Sequence, residues 1–268
     1  MILTLPVDSF VLRKKRREWG DFMKVAGLSD KGLVRPNNED CIGFKIKEDG
    51  MLLAIVCDGI GGSNAGDVAS KCAVETFLND FDQAPSLQTP KEASNWIKNE
   101  IDHCNDVIYQ MASCNKNLHG MGTTLAGVLM NDKMTLIMNV GDSRVYGLFD
   151  RMVCLTQDHN LFQELLHAGQ LTSEEIKLQP SKHVLTNALG VYDRAKVDIG
   201  LANNDYDCLL LCSDGLHGYV DEQIIKNVLT QQKSAEEKAS LLIQAAIIAG
   251  GYDNTSVIVI EKEVGSND

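Results

Sequence analysis

Apolar and polar residues alternate in blocks along the chain, and the blocks read as two kinds of element. Short aliphatic and β-branched runs near 24–28, 41–47 and 51–57 predict strands, followed by a helix from about Ala65 to Phe81. A second helix opens with Thr89 as N-cap, Pro90 at its first position and Glu92 completing a capping box. It carries Ile97, Ile101, Cys104, Ile108 and Met111 at spacings of four, three, four and three, which places them on one face. Four strands are expected between Gly122 and Leu155, separated by turns around Asn131, Asp142 and Asp150, and strands joined by such short turns are expected to be antiparallel. The run Leu209 to Ser213 reads as a buried strand, a capping box from Ser234 to Glu237 opens a helix to about Ala249, and Thr255 to Ile260 forms a last strand. No Pro/Gly/Ser linker, internal repeat or low-complexity segment interrupts the pattern. The expected fold is therefore α and β, largely antiparallel, with two packed sheets and helices covering the outside.

Composition narrows the class. At 268 residues and 44% hydrophobic content the chain can build one large domain with a substantial core. A formal net charge of -12 argues against a nucleic-acid surface, because phosphate backbones would be repelled. No apolar run reaches the length of a transmembrane helix. The eight cysteines contain no CxxC and no Cys/His cluster, and most lie within apolar runs, so they read as reduced, buried small hydrophobes in a cytoplasmic protein. Residues 1–22 differ from the rest: five basic against three acidic residues give them a net +2 and leave -14 on the remainder. Three readings stay open for this basic extension: a solvated tail, a true start at Met23, or a contact with an anionic surface. The corresponding division is 1–22 as extension, 23–264 as the domain and 265–268 as a tail.

The chemistry is concentrated in four acidic motifs: RPNNED (Arg35 to Asp40), CDGIGG (Cys57 to Gly62), CSDGL (Cys212 to Leu216) and YDN (Tyr252 to Asn254). Asp58 and Asp214 leave apolar runs that read as buried strands, so several carboxylates are pinned to strand ends. Converging carboxylates repel and raise one another's pKa, a penalty that divalent cations remove. Oxygen ligands from Asp, a backbone carbonyl beside glycines and water favour Mg2+ or Mn2+ over zinc. Any one of these Asp residues alone has the ordinary alternative of a turn or cap residue.

In order and spacing, the set resembles the PPM, or PP2C-like, family of metal-dependent protein serine/threonine phosphatases, in its short bacterial form. The resemblance runs from about Val25 to Ile260 through SDKGLVRPNNED, DGIGG, GMGTTL, GDSR, TQDH, CSDGL and GGYDN. It implies a four-layer α-β-β-α sandwich of the α+β class, with two central, mainly antiparallel sheets and a metal site in a cleft at one edge. It further implies that Asp58 bridges two ions, that the Gly59 carbonyl completes one site and that Asp214 and Asp253 hold the other. Asp142, with Asp214, is the place for a third ion, the alternative being a turn residue between strands. A water or hydroxide shared by two Mn2+ or Mg2+ ions would attack phosphorus directly. Arg35 would pair with the phosphate, Glu39 and Asp40 would orient metal-bound waters from behind, and Asn254 would support Asp253 or the phosphate. Glycines in DGIGG and in GMG would let the backbone approach a metal.

One position departs from the pattern: Ile60 stands where some eukaryotic relatives carry a histidine acid, so the general acid is unassigned. His159 and His183 lie nearest the motifs and read as structural or surface residues. The stretch Asn160 to Lys182 resembles the family's mobile flap, with short helical pieces including one opened by a Thr172 to Glu175 capping box. The expected partners are phosphorylated proteins and a cognate Ser/Thr kinase, with no nucleic acid, no transmembrane segment and a monomeric state. The competing classes are a non-catalytic binding module on the same fold, which loss of Asp58, Asp214 or Asp253 would have favoured, and a phosphatase for small metabolites.

Overall fold

Two rows of side chains run along each central strand, and both are apolar. In the strand Leu52–Ile60, Leu52, Ala54 and Val56 belong to one buried cluster while Leu53, Ile55 and Cys57 belong to another. Successive residues of a strand point to opposite faces, so this strand is covered on both sides. That explains why its sequence is a continuous apolar run rather than an alternating one. The computed structural model describes residues 23–61, 65–169 and 184–262. The basic extension 1–22, Gly62, the Thr172 to Glu175 capping box, His183 and the tail 265–268 lie outside the described residues.

Eleven strands form two sheets among the described residues. The first has the order β1 (Met23–Asp30), β11 (Thr255–Lys262), β10 (Cys208–Cys212), β7 (Arg144–Leu148), β8 (Met152–Cys154). The second has the order β2 (Asp40–Ile46), β3 (Leu52–Ile60), β5 (Leu125–Met130), β6 (Thr135–Val140), β9 (Asp198–Ala202), with the two-residue β4 (Gly122–Thr123) pairing the end of β3. Every pairing is antiparallel.

Three apolar layers separate four structural ones. Leu52, Val56, Val128, Leu209, Leu211, Ile258 and Ile260 fill the space between the sheets. Helices α1 (Gly66–Gln83) and α2 (Pro90–Cys114) cover the second sheet through Phe77, Phe81, Ile97, Ile101 and Ile108. Helices α5 (Glu222–Leu229) and α6 (Ala235–Ile248) cover the first through Ile225, Leu229, Leu242 and Ile243. The result is the expected α-β-β-α sandwich. The two expected capping boxes that lie among the described residues are present, at Thr89 with Glu92 and at Ser234 with Glu237. Short α3 (Leu161–His167) and α4 (Asp214–His217) complete the helices that matter below.

Two expectations need correction. Strands β6 and β7, separated by the Asp142 turn, do not pair with each other: the chain crosses there from one sheet to the other, and β6 pairs β5 and β9 while β7 pairs β10 and β8. A three-residue connection can turn a corner between packed sheets as readily as a hairpin, and length alone does not distinguish them. In GMG, Gly122 pairs with Ile60 just beyond Asp58, and a Cβ on it would meet Val191 Cγ2 at 2.5 Å and Leu189 O at 2.7 Å, so the glycine also accommodates the chain at 189–191. All eight cysteines are free as expected, but Cys114 and Cys154 are exposed rather than buried.

Candidate metal centre

The apolar filling between the sheets stops at one end and gives way to polar side chains on the same inward-facing rows. On β2 and β3, Asp40 and Asp58 are directly opposed partners in the register. They continue the rows of Ile42 and Phe44 and of Leu52, Ala54 and Val56, because they lie at even spacings from them. Opposite them, Ser213 and Ser256 continue the rows of Leu209 and Leu211 and of Ile258 and Ile260. Two carboxylates opposed on one face are destabilising unless something neutralises them.

The two sheets are tied together beneath this end. The Ser213 hydroxyl donates to Asp40 Oδ2 at 2.7 Å, and the Ser256 N–H donates to Ser213 Oγ at 2.9 Å. Ser256 Oγ donates to Ser29 Oγ at 2.7 Å, which also accepts from Asn38 Nδ2 at 2.8 Å. Asp40 Oδ1 is buried and has no hydrogen-bond partner. The backbone of Asp58 is fixed by the two threonines after Gly122: its N–H donates to Thr124 Oγ1 at 3.0 Å, and its carbonyl accepts from Thr123 Oγ1 and Thr124 N–H, both at 2.9 Å. Thr124 Oγ1 in turn bonds Ser143 Oγ at 2.7 Å, which ties the Asp58 strand end to the Asp142 corner.

Gly59 and Gly141 are required by close approach. A Cβ at Gly59 would lie 2.1 Å from Gly66 O and 2.5 Å from Glu39 O, so α1 begins against the backbone that follows Asp58. Gly141 has φ +99°, and a Cβ there would lie 2.6 Å from Thr124 Cγ2. The corner is further held by His159, whose Nδ1 accepts from Gly141 N–H at 3.2 Å and from Asn187 Nδ2 at 2.7 Å while Nε2 bonds Asp198 at 3.0 Å. Arg144 makes a bidentate pair with Asp158 at 2.8 and 2.7 Å. The GDSR and TQDH motifs thus bond to each other and position Asp142; their other polar residues have structural jobs.

Asp214 opens α4 directly after β10 and Asp253 precedes β11, so neighbouring strands bring them to the same end of the sandwich. Arg35 Nη2 donates to Asp253 Oδ2 at 2.7 Å. Asn254 has a role that its sequence position does not reveal. Its Oδ1 accepts from Glu39 N–H at 2.8 Å, and its Nδ2 donates to the carbonyls of Lys31 and Asn37, both at 2.8 Å. One side chain therefore pins the segment that carries Arg35, Glu39 and Asp40, while its contact with Asp253 is made by its backbone N–H, at 2.9 Å.

The electrostatics follow from this crowding. Burial, then the charges of Asp40, Asp214, Asp142 and Asp253, push the Asp58 carboxyl well above the ordinary range. Burial and Asp214 push Asp142 up to about 7. Burial also pushes Asp40 up to about 7, against the Ser213 bond that favours its ionised form. Glu39 is raised by burial and by Asp67. For Arg35, burial opposes the charge, but the bond to Asp253 and the nearby Asp58 and Asp214 outweigh it. Six acidic groups, Glu39, Asp40, Asp58, Asp142, Asp214 and Asp253, share the site with the one guanidinium of Arg35, an excess of negative charge among the described residues.

The residues fit a divalent cation by chemistry: every donor is oxygen, Asp40 keeps an unpartnered buried oxygen, and Gly59 leaves backbone where a side chain would sit. The carboxylates are spread rather than gathered on a point. Among the described residues, the one group of three His, Cys, Asp or Glu side chains whose ligand atoms all lie within 4.8 Å of one another is Asp80, Glu100 and His103, on the far stretch of α1 and on α2. A distributed set suits more than one ion. Of the residues expected at the site, Arg35, Glu39, Asp40, Asp58, Gly59, Asp142, Asp214 and Asp253 are all brought to this end of the sandwich. Sequence reasoning missed Thr124, Ser143 and Ser213, which hold them, and Ser and Thr at strand ends carry no signal that would have singled these out.

Comparison with known proteins gives a consistent result. The sequence profile described as Protein phosphatase 2C matches residues 34–247. The chain is 38% identical over 238 residues to the serine/threonine phosphatase Stp of Listeria welshimeri, covering 88% of this chain and 94% of the relative. The structure is similar to that of the serine/threonine phosphatase Stp1 from Staphylococcus aureus, with a TM-score of 0.85 and 34% identity over 94% of this chain and 100% of that one. It is also similar to the catalytic domain of the serine threonine protein phosphatase PstP in complex with two manganese ions, with a TM-score of 0.76, 30% identity and coverage of 90% and 98%.

Proposed function

This chain belongs to the protein phosphatase 2C family and is a protein serine/threonine phosphatase of that type, and from this premise we propose how its own residues divide the work. The carrying observation is that Asp58, Asp142, Asp214 and Asp253 collect with Arg35 at one end of two sheets, where burial and the neighbouring carboxylates raise Asp58 and Asp142.

Asp58, the Gly59 carbonyl, Asp214 and Asp253 hold two Mn2+ or Mg2+ ions, and Asp142 with Asp214 offers a third position. Bound divalent ions supply a nucleophilic water of lowered pKa and neutralise charge on the transferring phosphoryl group. Arg35 presents its guanidinium at the rim, where a planar fork can take two phosphate oxygens at once. It is half-exposed and already oriented by Asp253. Asp40 and Glu39 act from behind, Asp40 anchored by Ser213 and Glu39 placed by Asn254. The substrate is a phosphoserine or phosphothreonine in a protein, and the enzyme reverses a cognate kinase from within the cytoplasm, as a monomer. The catalytic unit is 23–264. No described helix is long and apolar enough to cross a membrane.

The test is hydrolysis of a phosphothreonine peptide with Mn2+, with EDTA, and by Asp58→Asn. Activity that requires the metal and falls at least about a hundredfold in Asp58→Asn is expected for loss of a charge-stabilising group. Full activity in EDTA, or in Asp58→Asn, would rule out these metal roles; turnover of sugar phosphates in preference to the peptide would rule out the protein substrate.

A further inference from the structure

The outer helical layer carries a second group with metal-ligating chemistry. Asp80 lies in the last turns of α1, and Glu100 and His103 lie one turn apart on α2. With a rise of 1.5 Å per residue, Asp80 is about 20 Å along α1 from Gly66, the residue that packs against the metal centre. His103 Nδ1 is 2.9 Å from Asp80 Oδ2 and 3.6 Å from Glu100 Oε1. The three ligand atoms all lie within 4.8 Å of one another. A four-coordinate zinc with bonds of about 2.0–2.1 Å sets its ligands about 3.4 Å apart, and the two observed separations bracket that spacing.

Glu100 supplies the observation that an ordinary helix-surface ion pair does not explain. Its residue is 6% exposed, and its Oε1 is buried without a hydrogen-bond partner although it faces the imidazole. A buried carboxylate oxygen left unsatisfied is costly. Among the described residues no lysine or arginine pairs with Asp80 or Glu100, and the His103 imidazole is the one basic side chain beside them. Beneath the group the helices meet through Trp96, whose ring contacts Phe77 at 6.3 Å and Phe81 at 5.9 Å, so the inner side is apolar and the outer side, where His103 is half-exposed, is open to solvent.

We propose that Asp80, Glu100 and His103 form a binding site for a zinc-type divalent transition metal that clamps α1 to α2. One imidazole nitrogen and two carboxylates are a zinc-compatible donor set, and the open outer side leaves the fourth position to water. The ion satisfies Glu100 Oε1 and takes the place of the shared proton between Asp80 and His103. The site is chemically distinct from the oxygen-only centre, so the two separate by cation: an imidazole favours zinc, and carboxylates with carbonyls favour Mg2+. Its function is to stabilise the helical layer by binding the folded state alone.

The test is equilibrium dialysis of the full chain against Zn2+ with Mg2+ in large excess to occupy the oxygen-only centre. The parent, His103→Gln and Glu100→Gln are compared. His103 is exposed, so His103→Gln folds without difficulty, and its phosphatase activity with Mn2+ is expected within about twofold of the parent. The parent is expected to retain one equivalent of Zn2+ more than either variant, and Zn2+ is expected to raise the Tm of the parent and not of His103→Gln. Equal zinc retention by the parent and His103→Gln overturns the proposal, as does a Zn2+-induced Tm shift that survives in His103→Gln, since the exposed thiols of Cys114 and Cys154 would then account for the binding.

Discussion

Replacing Asn254 by Ala removes one small side chain and three hydrogen bonds, those to Glu39 N–H and to the carbonyls of Lys31 and Asn37. At about 1 kcal/mol net for each neutral bond, the direct loss is about 3 kcal/mol. For a chain of this size 1 kcal/mol moves Tm by about 2–4 °C, so a fall of about 6–12 °C is expected. The released segment carries Arg35, so the damage should also reach substrate binding: a misplacement that costs about 1.4 kcal/mol raises KM for a phosphothreonine peptide about tenfold. Thermal unfolding in EDTA, where no ion masks the change, and steady-state kinetics with saturating Mn2+ measure the two effects separately. Asn254→Asp serves as the control. It keeps an acceptor for Glu39 N–H but turns an anion towards two carbonyls, so it should lose at least as much stability. A Tm within about 1 °C of the parent, together with an unchanged KM, would refute the reasoning that this side chain pins the loop.

Three further outcomes are expected. Asp142 has a folded value of about 7 against an ordinary 3.8. A raised carboxyl means that the folded state holds its proton more tightly, so without metal its contribution to stability is present below about pH 4 and is lost as pH rises through about 7. At 1.36 kcal/mol per unit, about 4 kcal/mol is at stake for this one group. Urea midpoints in EDTA should therefore fall between pH 5 and pH 8 and be restored by Mn2+ at pH 8, and a flat or rising EDTA series would contradict the charge cluster. Gly59→Ala places a Cβ 2.1 Å from Gly66 O, so α1 must shift; a loss of about 1–3 kcal/mol and weaker Mn2+ activation are expected, and unchanged unfolding and metal titration would count against the close approach. Arg35→Lys keeps the charge and loses the planar fork, so it should raise KM about as much as Arg35→Ala does; a lysine variant with parental KM would show that charge alone suffices.

Much of the architecture is legible in the chain's local patterns. Helix α2 announces itself by Thr89, Pro90 and Glu92 and by its apolar spacing, all local features that act through backbone capping and one buried face. The runs at Leu52 to Cys57 and Leu209 to Cys212 are readable as buried strands because both of their faces are covered. The carboxylates of the acidic end are also legible, since Asp58, Asp214 and Asp253 sit at strand ends in motifs whose order and spacing match a known family. Helix α5 and strand β9 escape notice: α5 has only eight residues, and β9 is an edge strand whose Leu201 is exposed, so neither carries a long periodic signal.

What only the tertiary structure decided is which side chains complete one another across long stretches of chain. The pairing of Ser213 with Asp40 spans 173 positions and that of Asn254 with Glu39 spans 215. A single Ser or Asn has no local periodicity to betray such a role. The corner at Gly141 and Asp142 reads as a hairpin turn in the sequence and is a crossing between sheets in the fold, because the choice depends on which strands β6 and β7 find as partners. The sequence by itself determined the elements and the acidic chemistry, through patterns a few residues long. Packing two sheets face to face determined where that chemistry meets, because only there do strand ends distant in the chain share one polar gap at the edge of an apolar core.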